Sequence, residues 1–121
     1  MSLQPIEAVV RTHLANNCQE TNRFYTDDIP QTAQLPFGRV TTVSRTVEHS
    51  HDGRVSLQGQ RVQILCMAES HHDVSKLVMD VEATMYTLPN VVVFYASQSP
   101  PYTLDGVRHI GLDFFAWRQV S

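Results

Sequence analysis

The chain has 121 residues, 42% of them hydrophobic, which suits one compact domain because single domains cluster at about 100–150 residues. Its formal net charge of −3 argues against a dedicated nucleic-acid-binding protein, which usually carries a basic patch. Charged residues make up only 17%, against about 25% in ordinary soluble proteins, and so thinly charged a surface favours coverage by partners. The sequence therefore predicts a single domain over residues 1–121.

A short amphipathic helix is predicted first, with Pro5 in its first turn and Asn16-Asn17 at its end. Its apolar face carries Ile6, Val9, Val10 and Leu14. A polar, proline-punctuated segment follows, in which Phe24-Tyr25 is predicted as a brief extended piece. A strand rich in Val and Thr is then predicted from about Phe37 to Glu48.

A hairpin is predicted next, because Asp52-Gly53 is a strong turn signal. The return strand is expected from about Val55 to Ala68, with Gly59 as a candidate bulge. Its last eight residues, RVQILCMA, alternate in the period of two that is typical of a strand.

The period changes abruptly after Ala68, which predicts a second helix. Its apolar residues recur at helical spacing: Val74, Leu77, Val78, Val81 and Met85. Ser70, with Asp73 three residues later, resembles a capping box and predicts where the helix begins.

The last third of the chain predicts two strands. Residues Val91 to Ala96, VVVFYA, are typical of a short buried strand, and QSPPYTLDG is predicted as a loop because of its many breakers. A final strand is expected from Val107 to Val120. The fold class is therefore α+β, with two helices packed on a mainly antiparallel sheet in the order helix, strand, strand, helix, strand, strand.

Two strands carry large apolar residues on both faces, which a sheet with one covered face does not need. If the helices cover the face holding Val62 and Ile64, the opposite face receives four large apolar side chains: Leu65, Met67, Phe115 and Trp117. Either a curled sheet buries them in a second small core, or they contact another subunit. These four residues are the candidate oligomer interface.

The histidines are the first residues to consider as metal ligands. His49 and His51 lie in the hairpin tip, where polar residues are expected in any case. His71 and His72 are adjacent in the first turn of a helix, so their side chains point about 100° apart and do not easily share one ion. No metal site and no cofactor are predicted, and the role of the His49–His51 tip is left open.

The sequence also predicts no catalytic residues. Cys66 lies on the apolar side of its strand and reads as a buried thiol, while Cys18 has no motif around it. There is no G-x-S-x-G elbow, P-loop or G-x-G-x-x-G fingerprint. The chain is expected not to be an enzyme.

No secretory signal is recognised at the start, MSLQPIEAVV, and no run approaches the roughly 18 apolar residues of a membrane span. A soluble protein without a membrane partner, made in a reducing cytoplasm, is expected.

Four segments resemble, in order, the tail-completion or tail-terminator proteins of long-tailed bacteriophages and prophages. They are QPIEAVVRTHL, YTDDIPQTAQLPFGRV, RVQILCMAESHHDVSKLVMDVEATM and GLDFFAWRQV. The likeness spans nearly the whole chain as a pattern rather than as a strict motif.

The resemblance implies a virion protein made in the bacterial host. Members of that family form a ring, typically of six subunits, at the head-proximal end of the tail tube. The ring stops tube polymerisation and meets the head connector, while DNA passes through its lumen without sequence-specific binding. The expected partners are thus other copies of the chain, the tail-tube protein and the head connector protein. The family has no catalytic residues to carry over.

Two alternatives stay open at the level of sequence. One keeps the phage context and places the protein in the head-side neck. The other is a small metal- or ligand-binding α+β domain that uses its histidines.

Overall fold

A computed structural model of the chain describes residues 4–26, 28–49 and 56–119. The elements are α1 Ile6–Asn17, β1 Phe24–Thr26, β2 Phe37–His49, β3 Ser56–Ala68, α2 His71–Met85, β4 Val92–Gln98, β5 Tyr102–Leu104 and β6 Val107–Gln119. The predicted α+β class with two helices is confirmed. The predicted order was incomplete, because it omits the short strands β1 and β5.

The six strands form one sheet in the order β1-β2-β3-β6-β4, with β5 also paired to β6. Every pairing is antiparallel except that of β1 with β2. Long β2, β3 and β6 build the centre of the sheet, and β4 forms one edge. The predicted turn at Asp52-Gly53 lies outside the described residues, but His49 pairs with Ser56, which confirms that β2 and β3 form an antiparallel pair.

The helices cover one face of the sheet, which we call the inner face. α1 packs on β1 and β2, and α2 packs on β3 and β6. Their buried side chains meet alternate residues of the central strands, all at most 3% exposed: Val62, Ile64, Cys66, Ile110, Leu112, Phe114 and Ala116. This is the alternation predicted for β3 and β6.

The start of α2 follows from its cap. The Ser70 side chain accepts a hydrogen bond of 3.1 Å from the backbone N–H of Asp73, as the capping-box pattern predicts. α1 has no side-chain cap, and Pro5 occupies its N-cap position.

Ser70→Ala is expected to lower the free energy of unfolding by about 1 kcal/mol, because an N–H of the first turn of α2 loses its acceptor. The measurement is urea denaturation followed by circular dichroism. The matched control is His72, an exposed residue in the first turn of α2. His72→Ala removes no cap and is expected to change the free energy of unfolding by less than about 0.5 kcal/mol. Equal losses for the two variants would contradict a capping role for Ser70.

Two details of the strands correct the sequence predictions. The bulge in the β2–β3 pair lies on β2, between Thr42 and Ser44, and not at Gly59. The segment Val91 to Ala96 was expected to be a buried strand, yet β4 is an edge strand with Val92 57% and Phe94 56% exposed.

Candidate assembly interface

The face of the sheet turned away from the helices, here called the outer face, has two apolar ends and a polar middle. Residues directly opposite each other on paired strands lie on the same face. At one end, Val92 lies opposite Trp117 and Phe94 opposite Phe115. At the other end, Phe37 lies opposite Met67, which in turn lies opposite His109.

An ion pair occupies the middle of the outer face. The Arg61 guanidinium donates to one carboxylate oxygen of Asp113 from both Nε, at 3.1 Å, and Nη2, at 2.6 Å. The Asp113 side chain is only 13% exposed, and the guanidinium carbon of Arg61 lies 5.8 Å from the centre of the Phe115 ring. The ion pair therefore separates the two apolar ends of the outer face and lies beside the exposed Phe115 ring.

The four predicted interface residues all lie on the outer face, but in different environments. Phe115 is exposed, at 42%, while Leu65 and Trp117 are half-buried. Met67 is only 4% exposed, because it lies at the bottom of a shallow depression lined by Phe37, Leu104 and other residues of the chain. Of the four residues, Phe115 thus has the largest exposed fraction and is the most accessible to another molecule.

The Trp117 ring packs directly on the backbone of a glycine. A Cβ atom at Gly59, directly opposite on β3, would lie 2.6–2.7 Å from three carbons of the indole. Gly59 is therefore needed for close approach of a ring and not for a bulge. Beside Trp117, Leu57 and Val92 line a groove of about 690 Å³ at this end of the sheet.

Sequence reasoning missed the most exposed apolar residues of this end. Val92 and Phe94 on β4 escaped notice because a continuous apolar run was interpreted as a buried strand. Tyr95 is 41% exposed on the inner side of the same strand, and Tyr86, just after α2, is 54% exposed. Both rings pack edge-on against buried Phe114, with centroid distances of 5.7 and 6.3 Å.

The histidines whose side chains are described do not form a common cluster with other ligating residues. His71 and His72 are exposed at the start of α2, while His109 is 8% exposed and stacks on Tyr102 at 4.6 Å. His51 lies outside the described residues. Within residues 4–26, 28–49 and 56–119, no three His, Cys, Asp or Glu side chains are grouped so that they could hold a metal ion.

The two thiols are shielded. Cys66 is fully buried, and burial raises its pKa far above the ordinary value. Cys18 is half-buried at the α1–α2 contact; burial raises the pKa of its thiol to about 11, and the nearby Asp80 carboxylate acts in the same direction. Neither thiol is poised as a nucleophile, because the thiolate is the reactive form.

Slow thiol labelling is therefore expected of the folded protein. A thiol with a pKa of about 11 holds about 100-fold less thiolate at pH 8 than one with the ordinary value of 9.0. The measurement is the rate of modification by an aromatic disulfide reagent, with the modified residue identified by peptide mass spectrometry. Both cysteines should react quickly in urea, and rapid labelling of Cys18 without denaturant would contradict the shielding.

Among the described residues, no helix is long and apolar enough to cross a membrane. No protein-family model matches the chain, and no curated protein sequence matches it.

Comparison with solved structures does find a similar chain, in the "Virion of native gene transfer agent (GTA) particle". The two chains share 13% sequence identity, and the alignment covers 95% of each with a TM-score of 0.69. At this identity the likeness establishes a shared fold over nearly the full length of both chains.

Proposed function

We propose that the chain is a structural subunit of a phage or prophage virion, which assembles as a ring at the head-proximal end of the tail tube. There it ends tube polymerisation and joins the tail to the head connector. The observation that carries the proposal is the fold shared with a chain of the gene transfer agent virion over 95% of both chains. The four sequence segments that resemble tail-terminator proteins favour this position in the particle.

The exposed apolar surface supports assembly. Monomeric soluble proteins rarely leave several large apolar side chains exposed side by side. Here Val92, Phe94 and Phe115 are each at least 42% exposed on adjacent strands. In a ring, such a surface is covered by the next subunit through a head-to-tail contact.

The described thiols and the central ion pair are compatible with a structural role. Its cysteines are shielded thiols, and the Arg61–Asp113 pair is satisfied within the sheet. A net charge of −3 suits a ring whose lumen lets DNA slide rather than bind, because a strongly basic lumen would hold the phosphate backbone.

The test is negative-stain microscopy of the purified protein, alone and mixed with tail tubes of the same phage, together with light scattering. Rings of uniform size that also cap one end of the tubes are expected. Added during tube polymerisation, the protein should shorten the tubes in proportion to its concentration. Docking on isolated connectors without docking on tube ends would place the protein in the head-side neck instead, and a strict monomer that decorates neither would contradict a joining role altogether.

A further inference from the structure

β4 is an edge strand that lacks the usual protection against pairing. Among the described residues its only strand partner is β6. From Val91 to Ser99 the sequence contains no charged residue and no proline. Natural proteins blunt exposed edges with lysine, proline or other charged side chains, because an apolar open edge pairs with other chains. The composition of β4 therefore favours a partner that covers it.

Apolar surface is exposed on both sides of β4. Val92 and Phe94 lie on the outer side, next to Phe115, whereas Tyr95 lies on the inner side, near Tyr86. A partner that touched only one face of the sheet would leave the other group in water. An added strand, with side chains alternating between the two faces, covers both.

The opposite edge of the sheet offers such a strand. In the described residues, β1 pairs with Gly38, Arg39 and Val40 of β2, whereas β2 continues to His49. The segment from Thr41 to Arg45 therefore has an open side in the described part of the chain; it contains the bulge at Val43, whose side chain is 53% exposed. β2 and β6 run in the same direction, since both are antiparallel to β3, and β4 runs opposite to them. Two copies placed side by side about an axis along the strands thus bring β4 and β2 together as an antiparallel pair.

Charge also differs between the two edges. The β1–β2 edge carries four arginines: Arg11, Arg23, Arg39 and Arg45. Glu7 lies 3.6 Å from Arg45 and offsets part of this charge. β4 itself carries no cation, although Arg118 of β6 lies near Val92, and Glu82 lies beside Tyr86 on α2. Opposite charge favours the encounter of unlike edges over that of two identical ones.

We infer that the β4 edge of one copy pairs with the open β2 edge of a second copy, so that the sheets of neighbouring subunits join in a closed ring. The inference rests on the proposed function in that the partner is another copy of this chain. The contact is heterologous: each copy contributes its β4 to one neighbour and its β2 to the other.

The experiment blocks one edge at a time. Phe94→Lys places a positive charge on the β4 edge, and Val43→Lys places the same charge on the β2 edge, so the two blocked edges repel each other. Both positions are exposed, so both proteins should fold, as checked by circular dichroism and thermal melting. In sedimentation velocity the wild type should assemble and each blocked variant should be a monomer, while their equimolar mixture should form dimers, because each retains one intact edge. Met79→Lys is the matched control, since this exposed apolar residue lies on α2 and not on a sheet edge, so the added charge should leave assembly unchanged.

The outcomes separate this inference from the proposed function. The series is run with and without tail tubes, and rings seen on tubes count as assembly. If Phe94→Lys still forms rings that cap tubes, the β4 edge is not the contact while the joining role stands. If Val43→Lys alone forms dimers, two β4 edges pair with each other and the heterologous contact is wrong. If the wild type forms rings through these edges but never caps tubes or meets connectors, the contact stands and the joining role fails.

Discussion

Phe114→Ala is expected to lower the free energy of unfolding by about 3–5 kcal/mol, the range for removing a buried aromatic ring without collapse of the cavity. Phe114 is fully buried in the middle of β6, opposite Val62 on β3 and Tyr95 on β4. Its ring also receives the edges of Tyr86 and Tyr95. The loss therefore combines apolar burial in the core with two aromatic contacts.

The next residue supplies the control. Phe115 follows Phe114 on the same strand, but it points to the outer face and is 42% exposed. Phe115→Ala is therefore expected to cost less than about 1 kcal/mol in the monomer. Urea denaturation monitored by circular dichroism measures both, and similar losses would contradict the assignment of the two faces.

The same pair of variants should separate folding from assembly. Phe115 lies beside Phe94 at the β4 end of the outer face, so Phe115→Ala should weaken self-association more than it weakens the fold. Phe114→Ala removes the support beneath Tyr95 and should weaken both. Sedimentation velocity without denaturant, at a protein concentration at which each variant is folded, distinguishes the two effects.

Local signals in the sequence were sufficient for most of the fold. The change of period after Ala68 and the Ser70 cap predict α2, because both depend on residues a few positions apart. The alternation in β3 and β6 correctly predicts which of their residues lie in the core. The four candidates Leu65, Met67, Phe115 and Trp117 share the outer face, as predicted.

Features that depend on distant residues were not predictable in this way. The apolar run of β4 fits a central strand and an edge strand equally, because its place in the sheet is set by pairing with β6 only. β5 was not predicted because it has only three residues and lies in a segment rich in breakers. It pairs with β6 through a turn at Asp105 and Gly106, both of which have positive φ. Met67 is covered by residues 30 or more positions away, which no local pattern shows.

Glycines illustrate the same limit. In a strand, an isolated glycine indicates either a bulge or the close approach of another group. At Gly59 the close approach applies, because the Trp117 indole lies on the residue opposite it. The bulge in this pair instead occurs on β2 near Thr42, where no glycine is present.

Gly38→Ala is expected to destabilise the protein by about 1–3 kcal/mol, the usual cost of overpacking a core. A Cβ atom at Gly38 would lie 2.7 Å from two ring carbons of Phe24, its partner on β1. Phe24 is 1% exposed, so its ring is enclosed by other residues and cannot swing out into solvent. The added methyl group must therefore push β1 away from β2 or force the ring off its preferred rotamer.

Alanine substitutions at two other glycines provide comparisons, measured by the same urea denaturation. A Cβ at Gly59 is as crowded, but half-buried Trp117 can swing outward, so Gly59→Ala should cost less and should change the tryptophan fluorescence. At Gly106 the added Cβ meets nothing within 4 Å, and only the φ of +78° opposes alanine, so about 1 kcal/mol is expected there. If Gly38→Ala cost no more than Gly106→Ala, Phe24 would not be packed on Gly38. Because β1 limits how much of the β2 edge is open, a displaced β1 should also alter self-association, which links this core contact to the proposed junction between subunits.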